Sequence, residues 1–259
     1  MNKTEKFYKL AKLDGFDFYT GKTINYRENI GKTVKCPQFN VAGDLCSDAF
    51  IHASRKPNDC FVGARIPCSA YRVSGKSIKE DKVKCGFEEL AIIEELNPKT
   101  VFQWNYKEAC NPINPFKILP PNKITKKHIQ LTEKWASVGD LVGLRASVWA
   151  SVGDLVGLRA SVWASVRDLV GLRASVWAST GLGDSVRDSV WAYIGSIFIS
   201  EVPAWKKEYP YQCAVDLWKM GLVPSFDGKK WRLHGGSTAE ILWEGTLKAA
   251  KQLKKEGDQ

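Results

Sequence analysis

The chain has 259 residues, 44% of them hydrophobic and 25% charged, ordinary proportions for a folded protein in water. No apolar run is long enough to span a bilayer, and the opening MNKTEKFYKLAK lacks the apolar core of a secretion signal, which excludes a membrane partner and points to the cytoplasm. The net charge of +10 is concentrated in residues 1–134, where 23 Lys and Arg stand against 15 Asp and Glu. Lysine supplies most of these cations, which favours a solvated surface over the arginine forks that read phosphates.

Residues 1–120 read as an α+β domain. Phe7–Leu10 and Phe16–Tyr19 flank Asp14-Gly15, a tight-hairpin signal, because the turn needs positive φ. A second turn follows at Thr20-Gly21-Lys22. Ala49–Ala53 reads as a short strand, and Pro57-Asn58-Asp59 opens a turn or short helix around Cys60. Arg65–Val73 reads as a strand near a sheet edge, since Pro67 cannot donate to a ladder. Leu90–Ile93 is compatible with strand or helix. Asn111–Pro115 and Pro120-Pro121 mark the boundary of the domain.

Residues 121–134 form a linker whose helix, from Thr125 to Trp135, is entered through a threonine cap. Residues 135–200 are tandem repeats. Tryptophan returns every 14 residues at Trp135, Trp149, Trp163, Trp177, Trp191 and Trp205, and the first two units both read WASVGDLVGLRASV. Even-numbered positions of the unit are mostly Val, Leu and Ala, while odd positions carry Trp, Ser, Gly and Arg. Such alternation sorts side chains between two faces of an extended chain. The preferred reading is therefore a coiling β-solenoid-like segment. Long α-helices are the alternative, because 14 is twice seven and suits a heptad seam. Two glycines per unit, Gly139 and Gly143 in the first, weigh against helix. On the extended reading, Trp135, Trp149, Trp163 and Trp177 with Arg145, Arg159 and Arg173 form an outer ladder, a surface for a protein partner or a second copy.

Residues 201–259 read as a helix plus β-hairpin module. Gln212–Met220 is helical and stopped by Gly221. Val223–Phe226 and Trp231–His234 form a hairpin around Asp227-Gly228, and Ile241–Trp243 adds a third strand. The tail from Lys248 is a short or frayed helix.

Chemistry, if present, belongs to the first domain. The repeat unit lacks His, Cys, Glu and Lys, the usual general bases and strong nucleophiles beside Asp. If the chain is an enzyme, His52 at a strand end, Ser54 two residues on, and Glu108 are the candidate catalytic residues. Gly31-Lys32-Thr33 lacks the earlier glycine of a phosphate loop, and no cofactor is expected. The seven cysteines lack the paired spacing of zinc fingers and read as reduced thiols; a zinc set of Cys46, His52, Cys60 and Cys68 is the alternative.

The stretches FYKLAKLDGFDFYTGKTINY and CSDAFIHASRKPNDCF resemble a small domain of prokaryotic and viral proteins of unknown function, in which it precedes short tandem repeats. The segments DSVRDSVWAYIG and YPYQCAVDLWKMGLVPSFDGKKWRLHGG resemble the ending of such proteins. The resemblance implies no activity. The first domain is also similar to ADP-ribosyltransferase-like folds in pairing an early Tyr-bearing strand with a later strand carrying His and Ser, an analogy of fold only. The leading expectation is a non-enzymatic scaffold or protein-interaction module built on the repeat. The alternatives are a nucleotide-directed, ADP-ribosyltransferase-like enzyme in the first domain and a basic nucleic-acid binder.

Overall fold

The computed structural model describes residues 5–138, 183–202 and 205–246. It is a mixed α and β protein. The described residues divide into two compact units, one running to Cys110 and the other starting at Asn111.

The first unit is built on a four-stranded antiparallel sheet in the order β1-β4-β7-β2: β1 Lys6–Ala11, β4 Ser69–Ser74, β7 Glu89–Leu96 and β2 Thr33–Lys35. Alternation explains the burial. Tyr71 and Val73 of β4 and Leu90 and Ile92 of β7 face the core, while Arg72 and Ile93 turn outward. A smaller sheet pairs β3 Ile51–Ala53 with β6 Cys85–Phe87, and β6 with β5 Lys79–Glu80. The two sheets meet where Tyr8 and Ser54 exchange backbone hydrogen bonds, N to O at 2.7 and 2.9 Å. This bridge sets the N-terminal strand beside the end of β3. Asn97, whose side chain accepts from the Lys99 N–H, caps the short helix α1 Pro98–Val101. Phe61, Phe102, Trp104 and Tyr106 make an aromatic cluster in which Phe102 and Trp104 stack at 4.8 Å.

Two expectations are corrected here. The Asp14-Gly15 turn forms, with Gly15 at φ +88°, but Phe16–Tyr19 is not the second arm of a hairpin. The partner of β1 is β4, and the Asp17 carboxylate, accepting from the Tyr19 N–H at 2.8 Å, bends the chain into further turns. Nor is β4 an edge strand. It lies between β1 and β7 because Pro67 falls outside the ladder, which begins at Ser69.

In the second unit, helix α3 Lys126–Ser137 buries His128, Ile129, Thr132 and Trp135, a stripe at helical spacing. The His128 ring accepts from the Thr125 N–H at 3.0 Å, closing the first turn. Helix α4 Gly183–Ile197 buries Val186, Val190, Ile194 and Ile197. Its Tyr193 stacks on Trp218 of helix α5 Gln212–Lys219 at 5.0 Å and accepts from the Ile113 N–H at 2.6 Å. Three antiparallel strands follow, β8 Val223–Phe226, β9 Trp231–Gly235 and β10 Glu240–Gly245, in the order β10-β9-β8. Segment 111–121 packs with this unit: Phe116 is buried, and Gly221 lies against the Ile118 and Pro115 carbonyls.

Both described ends of the repeat, 135–137 and 183–197, are α-helical rather than extended. A burial period of three to four residues prevails there over the parity pattern, since Trp135 simply continues the buried stripe of α3. The remainder of the repeat, on which the solenoid and long-helix readings turn, lies outside the described residues. Among those residues no helix is long and apolar enough to cross a membrane.

Candidate functional site

The bridge between Tyr8 and Ser54 brings chemistry together in the first unit. Lys9 follows Tyr8 on β1, and it shares a strand face with the buried Phe7 and Ala11. Its side chain therefore enters the interior, and Lys9 is only 7% exposed. An ammonium there needs a counter-charge, and Asp17 supplies it in a direct ion pair. The fully buried Tyr26 donates its hydroxyl to the same carboxylate at 3.3 Å. Burial by itself lowers the lysine pKa, but the facing Tyr26 and Asp17 groups outweigh it, and Lys9 is held in the charged form. For Asp17, burial works against ionisation; Lys9 and the N–H groups of Tyr19 and Thr20 prevail and shift it below the usual carboxylate range. Burial raises the Tyr26 pKa, so it remains a phenol that can donate.

Lys9 and Asp17 form one wall of a cavity of about 110 Å³, while Tyr26 stands behind them. His52 and Ser54 enter from β3 and the residue after it, on the same strand face. Asp59 and Cys60 enter from the 3-10 turn Asn58–Val62, Cys46 and Ser47 from the preceding loop, and Lys84 from the turn before β6. Leu10, Ala53, Val62 and Ala64 supply apolar wall, and Phe18, Tyr19 and Gly63 complete the lining. A second cavity of about 30 Å³, room for about one water, shares Asp17, Tyr19, Ser47 and His52 with the first.

The reactive groups have defined states. His52 is half-buried and its Nε2 meets the Leu45 carbonyl oxygen, so Nε2 carries the proton and Nδ1 keeps a free lone pair. Burial, joined by Lys9 and Lys84, pushes its pKa down to about 4 against the opposing Leu45 carbonyl and Asp17. The imidazole is thus neutral at pH 7. Burial pushes the Cys60 thiol up to about 11, and its Sγ donates to the Tyr8 carbonyl at 3.1 Å; it is a poor nucleophile. Lys84 Nζ donates to Cys46 Sγ at 3.2 Å.

Of the residues singled out from sequence, His52 and Ser54 meet at this cavity. Glu108 does not line it; it lies on helix α2 Tyr106–Cys110, where Asn105 Nδ2 donates to its carboxylate at 3.4 Å. The zinc set does not assemble: Cys68 is elsewhere, its N–H and carbonyl both bonded to the Tyr106 hydroxyl at 2.8 and 3.0 Å. Among the described residues no group of three potential ligands could hold a metal ion. Trp135, placed on an exposed ladder by the parity argument, is 1% exposed and packs edge-on against Tyr211 at 6.3 Å. Trp149, Trp163, Trp177, Arg145, Arg159 and Arg173 lie outside the described residues. Lys9, Asp17 and Tyr26 escaped the sequence reading. The signal available was a lysine flanked at two-residue spacing by Phe7 and Ala11, blurred because Tyr8 and Leu10 are apolar too.

No family model, no curated protein and no solved structure matches this chain.

Proposed function

We propose that the first unit is a small-molecule recognition module whose site is the cavity walled by Lys9, Asp17, His52 and Ser54. The observation that carries this reading is the buried Lys9–Asp17 pair at the cavity wall. Burying two charges costs several kcal/mol per ion before their attraction is counted. A well-packed apolar pair would serve stability as well, so the ion pair is better explained by what it presents to the cavity. A concave, largely apolar pocket with a few convergent polar groups is the usual form of a ligand site. The scaffold reading would use repeat residues outside the described part of the chain, and nothing in the described part adds to it; Trp135, its one described tryptophan, is buried.

The test is a ligand screen on the full chain, read as a change in melting temperature and in amide NMR shifts around His52 and Ser54. Val62 lines the cavity but is 40% exposed, so Val62→Trp fills the site without crowding the core. A true ligand stabilises the wild type and loses its effect in Val62→Trp, whose own melting temperature is unchanged. A ligand that binds both proteins equally occupies some other place and removes the proposal.

A further inference from the structure

We infer that the cavity takes a single uncharged heteroaromatic ring with lactam-type donor and acceptor edges, the size of a pyrimidine base. This rests on the recognition-module reading and specifies its ligand. Charge is the first argument. The lining holds two lysines, Lys9 and Lys84, and two aspartates, Asp17 and Asp59, so its formal charge is zero. An anion in so small a space meets Asp17 and Asp59 as well as the lysines; a cation meets the lysines as well as the aspartates. A neutral ring with both donors and acceptors is opposed by neither set.

Size is the second argument. A cavity of about 110 Å³ is somewhat smaller than the roughly 150 Å³ apolar cavity that accepts benzene. One six-membered ring fits if it reaches slightly into the opening; a ring with a sugar and phosphate leaves those parts outside. Shape chemistry is the third. Tyr19 lines the cavity with 76% of its surface in water. An exposed ring at a pocket suits stacking on a flat ligand. Ser47 already donates its hydroxyl to the Asp44 carbonyl at 2.6 Å; the Ser54 hydroxyl, which donates or accepts, and His52 Nδ1, which accepts, match an N–H and C=O pair on a lactam edge. Leu10 and Ala53 supply apolar wall for the ring face.

The experiment uses the full chain at pH 7.5 and three probes sharing one ring: uracil, orotate and 5-aminomethyluracil, which are neutral, anionic and cationic. The neutral 6-methyluracil and thymine control for the bulk of each charged substituent. Calorimetry and NMR titration are expected to show the three neutral compounds binding at least tenfold tighter than the two charged ones. Tyr19→Ala, at an exposed position that leaves the fold intact, is expected to weaken uracil about tenfold. Tighter binding of orotate or of 5-aminomethyluracil overturns the ligand class and leaves the recognition module standing, as does a non-ring compound from the wider screen binding while all five fail. Failure of every probe and every screened compound overturns both. Unchanged uracil affinity in Tyr19→Ala overturns the stacking role and with it the flat-ring assignment.

Discussion

Lys9 and Asp17 depend on each other more than any ordinary surface pair, because neither has water to fall back on. Removing one partner of a buried pair costs about 3–5 kcal/mol, since the other charge is left without compensation. Lys9→Met and Asp17→Asn are each expected to lower unfolding stability by that order, and the double variant by clearly less than the sum; urea unfolding of the four proteins forms the cycle. Additive losses would show that the charges are not coupled. His52 makes a second prediction at this scale. In the unfolded chain it titrates near 6.5, and in the folded chain near 4. Between those values the unfolded state binds the proton and the folded state does not, so stability is fully present above pH 6.5 and declines as pH falls towards 4. The loss is at most about 3 kcal/mol. His128 and His234, both lowered chiefly by burial, act in the same direction, whereas the lowered Asp17 does not lose its contribution until more acid conditions. His52→Gln should therefore flatten, without abolishing, the dependence of the urea midpoint between pH 7.5 and 4.5. A slope identical to wild type would show that His52 is not held neutral. The half of this site that sequence revealed, His52 and Ser54, lies two residues apart, in β3 and just past its end. The other half comes from residues made adjacent only by the Tyr8–Ser54 bridge, a long-range pairing that no local pattern encodes.

Among the elements, those fixed by local chemistry were legible and those fixed by competition were not. The strands β8 and β9 and the helix α5 follow from Asp227-Gly228, from Gly221 and from alternation. Asp227 accepts from the N–H groups of Lys229 and Lys230 at 2.8 and 2.7 Å, and Gly228 holds φ +88°. Phe16–Tyr19 fails as a strand because β1 has a better partner in β4, which buries Tyr71 and Val73, and because Asp17 is drawn to Lys9. At the helical ends of the repeat the parity pattern misleads, because Val, Trp and Ala satisfy both periods, and only the neighbouring helices decide between them. Gly228 gives a clean test of the turn chemistry. A Cβ added there meets nothing within 4 Å, so Gly228→Ala carries only the backbone cost of a left-handed conformation, roughly 1–2 kcal/mol. Thermal unfolding should show the loss. An unchanged midpoint would mean the turn relaxes to negative φ without penalty, which crystallography of the variant would reveal.

For the whole molecule, the division into two compact units implies that damage to one need not reach the other. Cysteine placement makes this measurable without added probes. Cys36, Cys68 and Cys85 are buried in the first unit, and Cys213 is buried in α5 of the second. Buried thiols react with an alkylating agent only when the surrounding structure opens, so each reports its own unit. Labelling at a series of urea concentrations, read by peptide mass, gives a midpoint for every cysteine. In Asp17→Asn the midpoints of Cys68 and Cys85 should fall while that of Cys213 holds. In Gly228→Ala the order reverses, with Cys213 exposed earlier and Cys68 and Cys85 unmoved. If instead all midpoints shift together in both variants, the chain unfolds as one cooperative body and a single free energy describes it. The distinction matters for the binding reading as well. A ligand of the cavity stabilises by mass action only the structure that contains its site. Saturating ligand should raise the Cys68 and Cys85 midpoints and leave Cys213 where it was, a pattern that places binding in the first unit without any substitution at all.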